Sequence, residues 1–142
     1  MMNDRNDILA TLEDYADAYC AKDLQRLMGV FVDGESISLI GTGADELCAG
    51  RDAVSLVFER NFRDATATKF EWLWQDVAIH GAAATVATTL NIHLTVEGAG
   101  LVIPIRWTVS LVNTAGGWKW VHRHASSAAG SQDEGTAYPS GD

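Results

Sequence analysis

The sequence predicts an α+β fold in which helices cover one face of a curved, mainly antiparallel sheet. Apolar residues recur at helical spacing as far as about Arg63. From Lys69 onward the period drops to two, over four long runs separated by glycine turns. With 142 residues, 47% of them hydrophobic and only 20% charged, the chain can bury one domain's core.

The first helix starts after Asn3 or Asp4, either of which can cap it, and places Ile8, Leu12, Tyr15 and Tyr19 on one stripe. Its buried side therefore carries two phenols. Asp23 caps a short second helix through about Phe31, with Leu24, Leu27, Met28 and Phe31 on its apolar side, so the two helices form a bent hairpin. Ser36 to Ile40 reads as a short alternating strand ended by Gly41-Thr42-Gly43, a turn because no phosphate-binding fingerprint surrounds it. A third helix is expected from about Arg51 to Arg63, where Val54, Val57, Phe58 and Phe62 mark one face and Glu59, Arg60 and Arg63 another. Strands over 69–80, 82–97, 101–113 and 118–127 then follow as an antiparallel meander. On strict alternation Trp72 and Trp74 share a face, where they can stack on a flat ligand or serve as ordinary packing.

Residues 1–127 are thus expected to form a single domain, and 128–142, which are small, polar and acidic, a disordered tail. Long strands force curvature, and helices closing the mouth of the resulting cone leave an apolar cavity with a few polar groups. That is the usual form of a small-molecule site.

Charge narrows the partners. Nineteen acidic against 10 basic residues give a net charge of -9, which argues against a sequence-independent grip on nucleic acid and against anionic membranes. No apolar stretch approaches the length of a bilayer span, and the N-terminus lacks the apolar core of a secretion signal. Cys20 and Cys48 are the only cysteines, too few for a disulfide scaffold, which suits a reducing cytoplasm.

The densest chemistry lies in Trp118-Lys119-Trp120-Val121-His122-Arg123-His124-Ala125-Ser126. On strict alternation Trp118, Trp120, His122, His124 and Ser126 share one face, with two imidazoles side by side. Such a pair can act as general acid and base or donate to a bound carbonyl, or it can simply be a satisfied polar patch or dimer contact. As a zinc site it needs a third ligand such as His80, His93 or Asp76, for which nothing argues, so no metal or cofactor is expected. Arg106 depends on register. If the last hairpin loop has an odd residue count, Arg106, Thr108 and Ser110 join the histidines and could clamp an anion; if even, Trp107 and Val109 join them instead.

Arg106-Trp107-Thr108, then Gly116-Gly117-Trp118, then Val121-His122-Arg123-His124-Ala125-Ser126 resemble the R-x-T, glycine-turn and W-x-x-V-H-x-H-x-S pattern of the nuclear transport factor 2-like superfamily, SnoaL-like group. The resemblance covers roughly Asp4 to Ser127 and rests on element order outside the final hairpin. It implies a cone-shaped fold with three N-terminal helices on a curved sheet, frequent homodimers, and a cavity used by polyketide cyclases, isomerases, dehydratases and binding domains without chemistry. The association domain of calmodulin-dependent kinase looks similar at the same Trp and His positions, but where it places an arginine after its threonine this chain has Val109. Ketosteroid isomerases of the superfamily use an aspartate base with a helix-borne tyrosine; Tyr15 and Tyr19 suit the second role, and no aspartate matches the first, Asp76 falling near a strand end.

The expectation is a small cytoplasmic homodimer that binds a small, partly apolar organic ligand in a conical cavity, with Tyr15, Tyr19, Trp72, Trp74 and Arg106 as ligand-binding residues. An alternative is a cofactor-independent isomerase, lyase or cyclase using His122 and His124 as general acid and base. A third is a homo-oligomeric assembly module working through its tryptophan-rich sheet.

Overall fold

Each helix begins where a side chain can satisfy its first N–H groups. In a computed structural model that describes residues 3–141, Asn3 accepts from the Asn6 N–H and opens α1 (Asp4–Cys20), and Asp23 accepts from the Arg26 N–H and opens α2 (Leu24–Met28). Helix α3 (Arg51–Asp64) follows Gly50, whose φ of 91° excludes most side chains, and its cap is supplied from a distance by Glu35, which accepts from the Arg51 N–H at 3.0 Å. Between and after the helices run β1 (Ser38–Ile40), β2 (Leu47–Ala49), β3 (Thr66–His80), β4 (Ala83–Val96), β5 (Ala99–Thr114) and β6 (Gly117–Ser126).

The six strands form one curved sheet in the order β2-β1-β6-β5-β4-β3, antiparallel except where β1 meets β6. The expected elements are present, and two details differ. Strand β2 is new, because three residues are too few to display a period. Helix α2 ends at Met28 rather than near Phe31, since Gly29 follows and the chain then exchanges backbone hydrogen bonds with Trp120 on either side of Phe31. Residues beyond Ser126 carry no helix or strand among those described and fold into turns, with Ser140 N–H donating to the Ser131 carbonyl at 2.9 Å.

The helices cover the inner face of the sheet and close over an aromatic core. Trp120, Tyr15, Phe31 and Phe58 are fully buried there, Tyr15 lying flat on Trp120 with ring centroids 4.8 Å apart. Buried indoles need a partner for their N–H. Trp120 donates to Thr11 Oγ1 at 2.8 Å, and Trp118 to Asp4 Oδ1 at 3.2 Å, tying the last strand to the first helix.

Three β-bulges decide which residues face that core, one at Thr68 near the start of β3 and two that overturn readings taken from strict alternation. On β6, Trp120 stands opposite Leu111 but His122 stands opposite Ser110, so Val121 is an extra residue with no partner. On β3, Trp72 stands opposite Leu90 and Trp74 opposite Thr89, so Leu73 is extra. Each bulge reverses the alternation beyond it. Trp118 and Trp120 therefore point inward while His122, His124 and Ser126 point outward, and Trp72 points inward while Trp74 points outward, correcting both shared faces expected from strict alternation.

Candidate functional site

The residue that the Val121 bulge turns inward is Arg123. It is 8% exposed and lies between two outward-facing histidines. Its Nη1 donates to the Tyr15 hydroxyl at 3.1 Å and its Nη2 to the Ile40 carbonyl at 3.3 Å, while its guanidinium carbon sits 5.3 Å from the centre of the Trp107 ring. Among the described residues it has no carboxylate within salt-bridge distance.

Arg123 forms part of the wall of a cavity of about 190 Å³ between the inner sheet face and the helices. Strands β4 and β5 supply its apolar side: Ile92, Leu94, Ile103, Ile105 and Trp107. Tyr19 from α1, Asn61 from α3 and Arg123 from β6 supply polar groups, Asp64 and Glu46 add carboxylates, and small residues and Thr42 fill the remainder. Glu46 is already engaged, accepting from the Gly43 N–H at 2.8 Å and pairing with Arg60 at 3.5 Å, and Asp64 is exposed. Two buried N–H donors of this wall, Trp107 Nε1 and Arg123 Nε, have no acceptor.

The residues singled out from sequence separate into two groups. Tyr19 lines the cavity, and burial holds its phenol well above the usual tyrosine range, with Tyr15 adding to the effect. Tyr15 lies one layer deeper, against Trp120 and Trp107, and burial raises its phenol as well, with Arg123 pulling the other way. Trp72 is on the inner face, 5.7 Å from Trp107 between ring centres, behind the lining. Trp74, 56% exposed, and Arg106 are on the outer face.

His122 and His124 share that outer face, their ring centres 6.4 Å apart. His122 Nδ1 lies 2.7 Å from Ser38 Oγ, and burial keeps its imidazole below the ordinary range against the opposing pull of Ser38. Arg106, Thr108 and Ser110 do stand opposite Ser126, His124 and His122, the pairing expected of an odd loop. The loop itself, Ala115-Gly116 between Thr114 and Gly117, is even, and the shift comes from Val121. Arg106 donates to Ser126 Oγ and the Ser127 carbonyl, both at 3.2 Å, rather than reaching the histidines. Among the described residues no group of three or more His, Cys, Asp or Glu side chains is arranged to hold a metal, and no helix among them is long and apolar enough to cross a membrane.

Sequence reasoning missed Arg123, Trp107 and Asn61 as lining residues. The available signal was adjacent bulky apolar residues, Trp72-Leu73-Trp74 and Trp120-Val121, inside otherwise alternating strands: neighbours that cannot both face the core without an extra residue.

A curved mixed sheet with helices closing one face over a half-apolar cavity defines the cystatin-like architecture of the nuclear transport factor 2-like proteins, and solved structures of that class superpose on this chain. One, named as a dehydratase of that family from Streptomyces avermitilis, matches with a TM-score of 0.79 and 20% identity over 89% of this chain and 97% of its own. A second, named as a calcium/calmodulin-dependent protein kinase II association domain from Xanthomonas campestris, gives 0.78 and 16%, covering 91% of each chain. A third, a ketosteroid isomerase-like protein from Erwinia carotovora atroseptica, gives 0.69 and 21% over 86% of this chain and 94% of its own. The family model for the SnoaL-like domain matches residues 8–130, and the chain belongs to that family. None of the curated proteins matches it in sequence.

Proposed function

We propose that this protein binds a small, partly apolar organic molecule in the cavity beside Arg123. The observation that carries the reading is the makeup of the wall, four aliphatic side chains and an indole on one side with Tyr19, Asn61 and Arg123 in the same lining. Apolar walls with a few fixed polar groups are how small-molecule sites combine affinity with orientation. At about 190 Å³ the space is below the roughly 300–1,000 Å³ of drug-sized sites, so the ligand is small. A panel of monocyclic aromatic and alicyclic compounds should therefore raise the thermal midpoint of the wild type. Ile103→Trp, which fills the cavity from a partly exposed position, should keep the fold and abolish those shifts. Absence of any shift in the wild type would sink the reading.

A cofactor-independent isomerase, lyase or cyclase is the second reading, supported by the names of the dehydratase and isomerase-like neighbours. The proton-exchanging groups of the cavity on that reading are Tyr19, Glu46 and Asp64, and His122 and His124 would serve it only for a ligand held on the outer face. Assembly is the third. We take the working state to be a cytoplasmic homodimer joined through the outer sheet face, where Trp74 and Val102 are exposed; two structural neighbours named as association domains support it. Sedimentation should then give twice the monomer mass for the wild type and the monomer for Trp74→Glu. A wild-type monomer at high concentration would rule this out.

A further inference from the structure

We propose that the ligand of this cavity is an organic monocarboxylate whose acid group docks on Arg123 while its apolar body lies against Ile92, Ile103, Ile105 and Trp107. The inference rests on the cavity reading above and adds the ligand's charge.

Three observations carry it. Arg123 is more than nine-tenths buried, yet no carboxylate lies within salt-bridge distance among the described residues; its two hydrogen bonds go to a phenol and a carbonyl, both neutral. A desolvated cation left without a counter-charge is costly, and proteins keep such groups where something anionic completes them. Second, the orphan donors are neighbours: Arg123 Nε and Trp107 Nε1 belong to side chains in van der Waals reach of each other in one wall. A carboxylate offers two oxygens with lone pairs to spare, and the planar guanidinium presents two parallel N–H vectors to such a group, which an amide or alcohol matches only in part. Third, the carboxylates that share the lining are committed elsewhere or solvated: Glu46 is held by Gly43 and Arg60, and Asp64 is exposed at the end of α3. The positive charge at the inner wall therefore belongs to Arg123.

The outer face offers a rival cation in Arg106, but it is exposed, and its Nε and Nη2 donate to Ser126 and Ser127. The two arginines make different predictions, and the test uses that difference.

Benzoate and benzamide have nearly the same shape and differ in charge, so titrating both into the full chain at pH 7 isolates the acid group. The readouts are the dissociation constant and the indole N–H resonance of Trp107. Benzoate is expected to bind at least tenfold more tightly than benzamide and to shift the Trp107 resonance. In Arg123→Gln the preference is expected to shrink to within threefold with benzamide binding retained, and in Arg106→Gln to stay as in the wild type. Equal affinity for the two compounds in the wild type would overturn the inference and leave the cavity reading standing. Failure of both to move the Trp107 resonance would overturn both. A preference that survives Arg123→Gln, or vanishes in Arg106→Gln, would assign the acid group elsewhere. Should Arg123→Gln not fold, the wild-type comparison and the Arg106→Gln control still decide.

Discussion

Trp120→Ala is expected to cost about 3–5 kcal/mol, the range for removing a large buried aromatic from a packed core. Trp120 is fully buried, lies flat against Tyr15 and meets Phe31 and Trp107 edge-on with ring centres 5.6 and 5.9 Å away. Its loss also removes the indole N–H that the buried Thr11 hydroxyl accepts, leaving that hydroxyl with its bond to the Ile8 carbonyl alone. Against a total stability of about 5–15 kcal/mol, the variant should melt roughly 10–20 °C lower or fail to accumulate folded. The matched control is Trp74→Ala. That side chain is 56% exposed beyond the Leu73 bulge, and at a protein concentration low enough to keep the chain monomeric its removal should change stability by no more than about 0.5 kcal/mol. Chemical denaturation of the two variants reads the difference, and equal losses would refute the bulge at Leu73.

The second large effect appears in alkali. Tyr15 and Tyr19 both titrate above the ordinary tyrosine range because burial disfavours the phenolate, while in the unfolded chain both ionise near pH 10. Above that pH the unfolded state has released protons that the folded state keeps, so stability falls as pH rises. The contribution is fully present below about pH 10 and is lost progressively toward the folded-state values. Each phenol should cost about 1.4 kcal/mol per pH unit over that window, so the pair costs about 2.7. Urea midpoints measured from pH 9 to 11.5 should show this decline, and Tyr19→Phe should reduce its slope by about half. A flat profile would mean that the two phenols are solvated.

Elements with a long period were legible in the sequence because burial repeats along them. The stripe of Ile8, Leu12 and Tyr15 and the four glycine-punctuated strands report the same inner face many times over. Strand β2 was not legible, since Leu47-Cys48-Ala49 has no repeat to read and exists by pairing with β1 across the Gly41–Glu46 turn. The candidate site was half legible for a more specific reason. Tyr19 was found because helical phase survives from Ile8 onward without interruption. Arg123 was missed because phase on a strand is only as good as the pairing, and one unpaired residue at position 121 inverted every assignment after it. The same inversion at position 73 split Trp72 from Trp74. Bulges answer to the partner strand, and the partner strand is not written in the local sequence.

The Val121 bulge also has a consequence for how this strand can change over time. Residues 122 to 126 present Arg123 and Ala125 to the cavity and His122, His124 and Ser126 to the opposite surface, within one short segment. The two faces have separate contacts, His122 with the Ser38 hydroxyl and Arg123 with the Tyr15 hydroxyl and the Ile40 carbonyl. The makeup of the cavity wall and that of the outer surface are thereby separable traits carried by adjacent codons, free to diverge independently while the fold is kept.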